Sequence, residues 1–459
     1  MVRFDDSIEA VLGPLEEHFR TRLPETTLVR DPAGRVTVVL PDDALPQGDW
    51  NPLAQRLHDS LGRWSPGTKQ VLLRVSDLID AQDILESPDR VRLDRHNVSM
   101  VDRLVTNLDW LRQPLAGMPP APPALMVPVM NDGTAVPVPA EPLSIATFFG
   151  IKGGVGRTTA AAVLAWHLAS QGKRVLVVDL DLEAPGLGEI LLPELPDYGL
   201  VDWFVEDLGG QADRELFEQM QAPAPLASGL PGWIRVIPAA GSRTGDYIAK
   251  LGRAYLPALD EQGAQRGVPE HLASLLQRAA TRIEPPEVVL LDSRAGLHDI
   301  GAAAVTRLGA EVFLFGRDDP QSWSAYDCLF RHLSRSTAIR WGMPEDDLRW
   351  RLKMVAAQVE PNQAASEAFL DRSYSAWTAL YDEEDEVRPG AHVFERDDPQ
   401  APHHALAIAF DPRLRSIDLV DPARRPEAAF IRSVFGSFVD GAAARLLPST
   451  TAVPSETSP

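Results

Sequence analysis

Residues 148–159, which read FFGIKGGVGRTT, decide the fold of this chain because they join a strand, a glycine loop and a helix start without a gap. The apolar run Leu143–Gly150 predicts a buried strand that enters the loop. Gly153, Gly154 and Gly156 allow the backbone to approach a ligand closely and to adopt positive φ. A helix that begins at such a loop presents backbone N–H groups and a partial positive charge to phosphate. The stretch therefore predicts a phosphate-binding loop.

Strand-like apolar runs alternate with helical patterns after the loop. This alternation is typical of an α/β domain with a mostly parallel sheet and helices on both faces. The predicted strands that follow the loop are Arg174–Leu180, Trp233–Pro238, Glu287–Leu291, Ala310–Phe315, Leu352–Ala357 and Ala405–Phe410. The sequence thus predicts the architecture of a P-loop NTPase.

A proline-rich segment, 114–142, divides the chain, and it holds nine of the 40 prolines. Its composition favours extended conformations, so we expect a linker there. The part before it, 1–113, is predicted to be a small α+β module with a final amphipathic helix at Val98–Leu111. The part after it, 143–447, is the predicted nucleotide-binding domain, and 448–459 is expected to be a disordered tail.

Composition excludes several classes of protein. The 459 residues are 44% hydrophobic, which excludes disorder throughout, and the chain contains no apolar run long enough to span a membrane. The net charge of −21, from 44 Lys and Arg against 65 Asp and Glu, opposes nonspecific binding to DNA or anionic lipid. The single cysteine, Cys328, excludes a disulfide framework or a cysteine-ligated metal. The start, Met1–Asp6, lacks the apolar stretch of a secretion signal, so a cytoplasmic location is expected.

The run IKGGVGRTT resembles the deviant Walker A motif, KGGxGKT, of the MinD/ParA family of dimerising ATPases. The standard pattern, G-x-x-x-x-G-K-[ST], is not matched, because Ile151 stands at its first glycine and Arg157 at its lysine. The resemblance implies ATP and Mg²⁺ as cofactors, and a nucleotide-sandwich homodimer in which Lys152 reaches the partner's phosphates. Thr158 stands where a hydroxyl would bind Mg²⁺. The predicted nucleotide-binding residues are Gly153, Gly154, Val155, Gly156, Arg157, Thr158 and Thr159.

Two aspartate segments stand where that family places its catalytic and metal-binding carboxylates. In the run VDLDLEAPG the resemblance assigns Asp181 to the attacking water, while Asp179 and Asp181 are alternatively loop carboxylates that cap the next helix. In EVVLLDSRAG it assigns Asp292 to the magnesium site and Gly296 to a switch loop. Arg294 replaces part of the family's proline turn, and it is either a γ-phosphate sensor or a surface arginine.

Two weaker signals lie further along the chain. Gln358 follows a late strand, where family members contact the base, but a glutamine at a strand end is usually just exposed. A locally basic region suggests either a DNA-binding patch or, more commonly, a solvated helix face. That region comprises Arg331, Arg335, Arg340, Arg349, Arg351 and Lys353.

Three functions compete on this sequence. The first is a dimerising ATPase switch that controls a protein partner through the N-terminal module, with slow hydrolysis because an arginine replaces the lysine at position 157. The second is a non-hydrolysing nucleotide-binding adaptor whose function lies in the N-terminal module. The third, a bacterial tyrosine kinase, is disfavoured because such kinases carry a C-terminal tyrosine cluster and this chain has no tyrosine after Tyr381.

Overall fold

The computed structural model describes residues 2–447 except 80, 88–89, 94–96, 104–109, 112, 124, 129–134, 139, 260–264, 336–346, 383–390, 417 and 422–423. The chain forms two compact units, a smaller one within Met1–Arg112 and a larger one that begins at Gln113. The predicted tail, 448–459, lies outside the described residues.

The smaller unit is a five-stranded sheet with helices, in the strand order β3-β2-β1-β5-β4. Its strands are β1 Thr26–Arg30, β2 Val36–Leu40, β3 Leu72–Arg74, β4 Arg90–Arg92 and β5 Val98–Asp102. Its α-helices are α1 Ser7–Phe19, α2 Gln47–Leu61 and α3 Ala81–Leu85. Leu28 and Val38 of the sheet pack with Val11 of α1 and Leu57 of α2 in one core. The predicted small α+β unit is confirmed.

The helix predicted at Val98–Leu111 is wrong over its first five residues. They form β5, which pairs in parallel with β1 and antiparallel with β4. Val98 and Met100 enter the core of the sheet, which is the two-residue period of a strand. Over five residues the apolar spacing fits both a helix and a strand. Pairing with β1 and β4 decides in favour of the strand. The rest of that prediction falls mainly on 104–109, outside the described residues.

The larger unit is built on an eight-stranded sheet in the order β10-β11-β9-β14-β8-β15-β16-β17. Every neighbouring pair is parallel except β10 with β11. Its strands are β8 Ser144–Gly150, β9 Arg174–Asp179, β10 Ala222–Pro223, β11 Trp233–Ile237, β14 Val288–Ala295, β15 Glu311–Gly316, β16 Leu352–Val359 and β17 Leu406–Ala409. Two small hairpins pair β6 Leu125–Pro128 with β7 Ala135–Val138, and β12 Ala258–Leu259 with β13 Gln265–Arg266.

Helices cover both faces of this sheet, as predicted. Alternate residues of β8 enter different cores: Phe148 packs with helix residues that include Phe438, and Ile145 with a second set that includes Trp203. The α-helices are α4 Arg157–Ser170, α5 Leu187–Leu191, α6 Leu200–Leu208, α7 Arg214–Gln219, α8 Tyr247–Ala254, α9 Val268–Ala280, α10 Asp299–Ala302, α11 Pro320–Leu333, α12 Leu348–Arg351, α13 Gln363–Trp377 and α14 Ala428–Leu446. The mostly parallel α/β fold is confirmed.

The first part of the proline-rich segment makes backbone hydrogen bonds with the rest of the larger unit. The Leu115 N–H donates to the Arg307 carbonyl and the Leu143 N–H to the Pro120 carbonyl, each at 2.8 Å. The hairpin of β6 and β7 lies within the same segment. Among the described residues, no helix is both long and apolar enough to cross a membrane.

Candidate functional site

The glycine loop lies between β8 and α4, at the carboxyl end of the central strands. Gly154 and Gly156 have φ of +73° and +87°, a region in which a side chain is strained. Gly156 is the N-cap of α4, so the helix begins directly behind the loop. Gly153 and Gly154 are exposed, and Val155 is buried and fixes the loop to the core. The loop therefore presents its backbone outward at a helix N-terminus, the arrangement that binds phosphate.

Arg157 turns its side chain into the loop. Its Nη1 lies 3.2 Å from the Lys152 carbonyl and 3.4 Å from the Gly150 carbonyl, close enough to donate to both. The residue is only 8% exposed, and its Nε is buried without a hydrogen-bond partner. A Cβ added at Gly150 would lie 2.9 Å from that Nη1 and 3.3 Å from the Phe315 carbonyl oxygen, so a larger residue there would force the guanidinium to shift. Sequence reasoning missed Gly150.

Helix α11 contacts the start of the glycine loop, at Lys152. Its N-cap, Asp319, accepts the Ser322 N–H and lies 3.6 Å from the Nζ of Lys152. About two turns further along the helix, the fully buried Tyr326 donates its hydroxyl to the Phe315 carbonyl at 2.8 Å. The lysine predicted to cross to a partner subunit is thus paired within its own chain.

Three carboxylates converge beside the loop, from the ends of β9 and β14. Asp179 and Asp292 are 1% and 4% exposed, and Asp181 is half-buried. Burial raises the pKa of Asp179 to about 6, although three backbone N–H donors favour its ionised form. Burial and the charge of Asp179 raise the pKa of Asp292 to about 7. Burial also raises the pKa of Asp181. Burial therefore disfavours the ionised form of all three carboxylates, and neighbouring carboxylates add to that effect.

This arrangement fits a magnesium ion. Asp292 Oδ1 is buried and accepts no hydrogen bond from the protein. The Thr158 hydroxyl lies beside the same carboxyl and favours its ionised form. Among the described residues, no group of three or more His, Cys, Asp and Glu side chains could hold a metal by itself. A hydroxyl, one or two carboxylates and a nucleotide's phosphates are a typical ligand set of Mg²⁺.

The two aspartates of the first segment differ in their surroundings. Asp179 accepts the N–H groups of Asp181, Gly186 and Leu187 at 3.0–3.2 Å, so it closes the loop and caps the helix that follows. This is the structural alternative that the sequence left open. Asp181 accepts one N–H, from Ala184 at 3.1 Å, and is more exposed. Only Asp181 retains the freedom that a water-activating carboxylate requires.

The segment after β14 contacts the loop directly. The Gly296 N–H donates to the Gly150 carbonyl at 2.9 Å, and Gly296 itself has φ of +98°. Arg294 forms an ion pair with Glu183 at 2.8 Å, and the Tyr255 hydroxyl donates to the same carboxylate at 2.7 Å. Arg294 is therefore held beside the site by a carboxylate that sequence reasoning did not single out.

Gln358 also lies at the glycine loop. Its side-chain amide donates to the Gly154 carbonyl at 2.9 Å. Its φ is +56°, and the register of β16 with β17 shifts at this point. A strained non-glycine residue is often retained for a function, and here it fixes a side chain against the loop.

The basic region predicted from the sequence is partly internal. Arg349 is buried and ion-paired with Asp347 and Asp382 at 2.7 and 2.6 Å. Lys353 is buried too, and donates to the Ala401 carbonyl at 2.8 Å. Neither side chain is part of an exposed DNA-binding patch or of a solvated helix face. Arg340 lies outside the described residues.

Similarity to known proteins includes the segment that contains the glycine loop. Residues 143–185 match the model of an AAA domain family. The antiactivator FleN of Pseudomonas aeruginosa is 27% identical over 196 residues. That match covers 42% of this chain and 58% of FleN, so the chain spans little more than half of that relative. These similarities confirm the resemblance to MinD/ParA-type P-loop ATPases.

Solved structures of ParA proteins and of McdA match about two thirds of this chain at low identity. A ParA family ATPase from Chlorobium tepidum is 15% identical and covers 65% of this chain and 97% of its own, with a TM-score of 0.41. An ATP complex of McdA from Cyanothece is 12% identical and covers 68% and 98%, with a TM-score of 0.39. A pNOB8 ParA bound to nonspecific DNA is 17% identical and covers 66% and 98%, with a TM-score of 0.38.

Proposed function

We propose that this chain is a nucleotide-driven switch of the MinD/ParA type, which binds ATP with Mg²⁺, dimerises in that state and controls a protein partner. The observation that carries the proposal is the outward-facing glycine loop at a helix N-terminus, beside the buried and unpartnered oxygen of Asp292. A divalent cation satisfies that oxygen, and a triphosphate satisfies the loop.

The binding roles follow from position. The backbone of Gly153, Gly154, Val155 and Gly156 would hold the phosphates, with the hydroxyls of Thr158 and Thr159 at the start of α4. Thr158 and Asp292 would hold Mg²⁺, which supplies charge neutralisation for the phosphates and for the three crowded carboxylates. Arg157 contributes a cation at the base of the loop.

Hydrolysis is expected to be slow. Asp181 is the proposed residue for orienting the attacking water, because its carboxylate is half-buried and accepts one backbone N–H. Arg157 is bound to loop carbonyls through a planar head that is larger than a lysine ammonium. Such a cation supports phosphate binding, but it is less able to follow the charge that develops on the transferred phosphoryl group.

Dimerisation through Lys152 requires the lysine to leave Asp319. The pair is 3.6 Å apart and the lysine side chain is 40% exposed, so its contribution is on the order of 0–1 kcal/mol. A triphosphate offered by a second subunit carries several charges in a closed site and outcompetes that pair. The in-chain pairing is therefore compatible with a lysine that crosses the dimer.

The partner is proposed to be a protein bound through the N-terminal unit. FleN is named as an antiactivator, which supports a regulatory role. DNA binding is disfavoured by the net charge of −21 and by the burial of Arg349 and Lys353. A cytoplasmic location remains part of the proposal.

A second candidate is a nucleotide-binding adaptor that does not hydrolyse ATP. The observation that favours it is the position of Arg157, which is committed to the Gly150 and Lys152 carbonyls. In that case nucleotide stabilises the larger unit and the N-terminal unit carries the activity.

Titration with Mg·ATP, with oligomer mass measured by sedimentation in the same samples, tests the switch. Lys152→Ala is expected to weaken ATP-dependent dimerisation at least tenfold, while the monomer's affinity for ATP changes less than threefold. Lys69→Ala, an exposed lysine of the smaller unit, is the matched control and should change neither. Equal losses of dimerisation and binding in Lys152→Ala would refute the cross-dimer role.

A further inference from the structure

Helix α11 lies against the start of the glycine loop and carries a buried tyrosine, Tyr326. None of the proposed roles in nucleotide or metal binding involves this residue. Tyr326 is fully buried, and its hydroxyl donates to the Phe315 carbonyl at the end of β15 at 2.8 Å. Burying a tyrosine hydroxyl costs free energy that burying a phenylalanine does not, and a hydrogen bond offsets that cost. The bond to the Phe315 carbonyl therefore suggests a role for the hydroxyl. The bond fixes the carbonyl of the residue that pairs with Gly150 of the adjacent strand.

The same carbonyl and the head of Arg157 both lie beside Gly150. A Cβ at Gly150 would lie 3.3 Å from the Phe315 oxygen and 2.9 Å from Arg157 Nη1, so both atoms lie against one face of Gly150. Burial raises the pKa of the Tyr326 hydroxyl, while the positive charge of Arg157 and the amide of Ile151 act against that rise, so the hydroxyl lies near the start of the loop. We call Gly150, the Phe315 carbonyl and the Lys152 carbonyl the arginine seat.

We propose that Tyr326 is a positioning residue of the phosphate loop: by holding the Phe315 carbonyl, it fixes the arginine seat in which Arg157 closes the loop. Tyr326 lies at the start of the loop, against the Phe315 carbonyl and the Ile151 amide and near the charge of Arg157, and we expect it to act on the loop through Arg157. Its effect on ATP binding rests on the proposed function, whereas its effect on the loop itself does not.

The proposal accounts for the departure at the lysine position. An arginine needs more room than a lysine, and the glycine at position 150 provides it. It also needs a fixed wall, because a single atom, Nη1, donates to both the Gly150 and the Lys152 carbonyls and loses these bonds when the head shifts. Tyr326 supplies that wall from a helix whose start, Asp319, also contacts the loop.

Hydrogen exchange of the nucleotide-free protein tests the proposal first. Tyr326→Phe is expected to speed the exchange of amides in 150–157 about fivefold to tenfold, because the arginine seat loosens. Tyr381→Phe is the matched control: its hydroxyl also binds a buried partner, His403, but it lies away from the loop, and the loop's exchange should stay unchanged. Unchanged exchange in Tyr326→Phe would overturn the proposal.

A double-mutant comparison separates positioning from general stability. If Tyr326 acts through Arg157, then Tyr326→Phe adds nothing to loop exchange when Arg157→Ala is already present. Additive effects would show a merely structural role and overturn the proposal. Titration of the same variants with Mg·ATP should show a fivefold to twentyfold weaker affinity for Tyr326→Phe. A wild type that does not bind ATP would refute the proposed function, while the exchange experiment would still decide the role of Tyr326.

Discussion

Replacing Asp292 with asparagine should stabilise the nucleotide-free protein while it removes the response to Mg·ATP. The carboxyl is 4% exposed and lies beside Asp179 and Asp181, and its pKa is raised from 3.8 to about 7. The difference between 3.8 and about 7 corresponds to roughly 4 kcal/mol against the ionised form. The raised pKa means that this cost is absent at low pH and grows as the pH rises from 3.8 to 7.

The net gain is smaller than that cost, because a buried amide also needs partners. We expect Asp292→Asn to gain about 1–3 kcal/mol at pH 8, or roughly 2–6 °C in the unfolding temperature. The wild type should gain about 2.7 kcal/mol from Mg·ATP at 100 times its dissociation constant, and the variant should gain almost nothing. Thermal unfolding with and without Mg·ATP measures both effects on the same samples.

Asp207→Asn is the matched control, since Asp207 is a buried carboxylate with its partners in place. It accepts from His271 at 2.6 Å, and from Arg266 and Ser274 at 2.9 Å each. Its loss should destabilise by about 3–5 kcal/mol and leave the response to Mg·ATP intact. A variant Asp292→Asn that is less stable than the wild type, or that keeps the full response to Mg·ATP, would refute the assignment. Asp292 would then not be a metal-site carboxylate whose ionised form is costly without the metal.

Two further predictions concern residues outside the carboxylate cluster. Gln358→Gly relieves the strain of a positive φ but removes the hydrogen bond to the Gly154 carbonyl. The affinities for ATP and GTP, measured in parallel titrations, should therefore fall by the same factor of about three to ten. A loss confined to ATP would show instead that Gln358 contacts the base. Burial lowers the pKa of His392 from 6.5 to about 3, so the unfolded chain binds the extra proton and stability falls by about 1.4 kcal/mol per pH unit as the pH drops from 6.5 towards 3. His392→Leu should flatten that loss in denaturant titrations at pH 8 and pH 5, and an unchanged pH dependence would contradict it.

The sequence predicts the parts of this molecule that depend on local patterns. The strand, glycine loop and helix of 148–159 are contiguous, so their order alone gives the phosphate loop and the edge of the sheet where it lies. The aspartates follow strands, and parallel strands bring their carboxyl ends together, so Asp181 and Asp292 are predicted to meet the loop. The family resemblance adds roles for these residues, and those roles remain predictions.

The individual contacts of the site are not predicted by the sequence. The segment Arg317–Trp323 follows a predicted strand and so lies at the sheet edge that carries the site, but neither the pairing of Asp319 with Lys152 nor the bond from Tyr326 to the Phe315 carbonyl has a sequence signal. Arg349 and Lys353 are charged residues next to other charges, and only tertiary packing shows that they are buried. The arginine that replaces the motif's lysine at 157 is visible in the sequence. That Gly150 leaves room for its side chain is shown only by the structure.

The most direct test of the switch is ATP hydrolysis with Mg²⁺ by the wild type beside Asp181→Ala, with oligomer mass recorded in the same samples. The wild type should turn over ATP slowly and the variant not at all, and ATP should stabilise a dimer of both proteins. Tight ATP binding with no turnover and no dimer in the wild type would contradict the switch and would favour the adaptor.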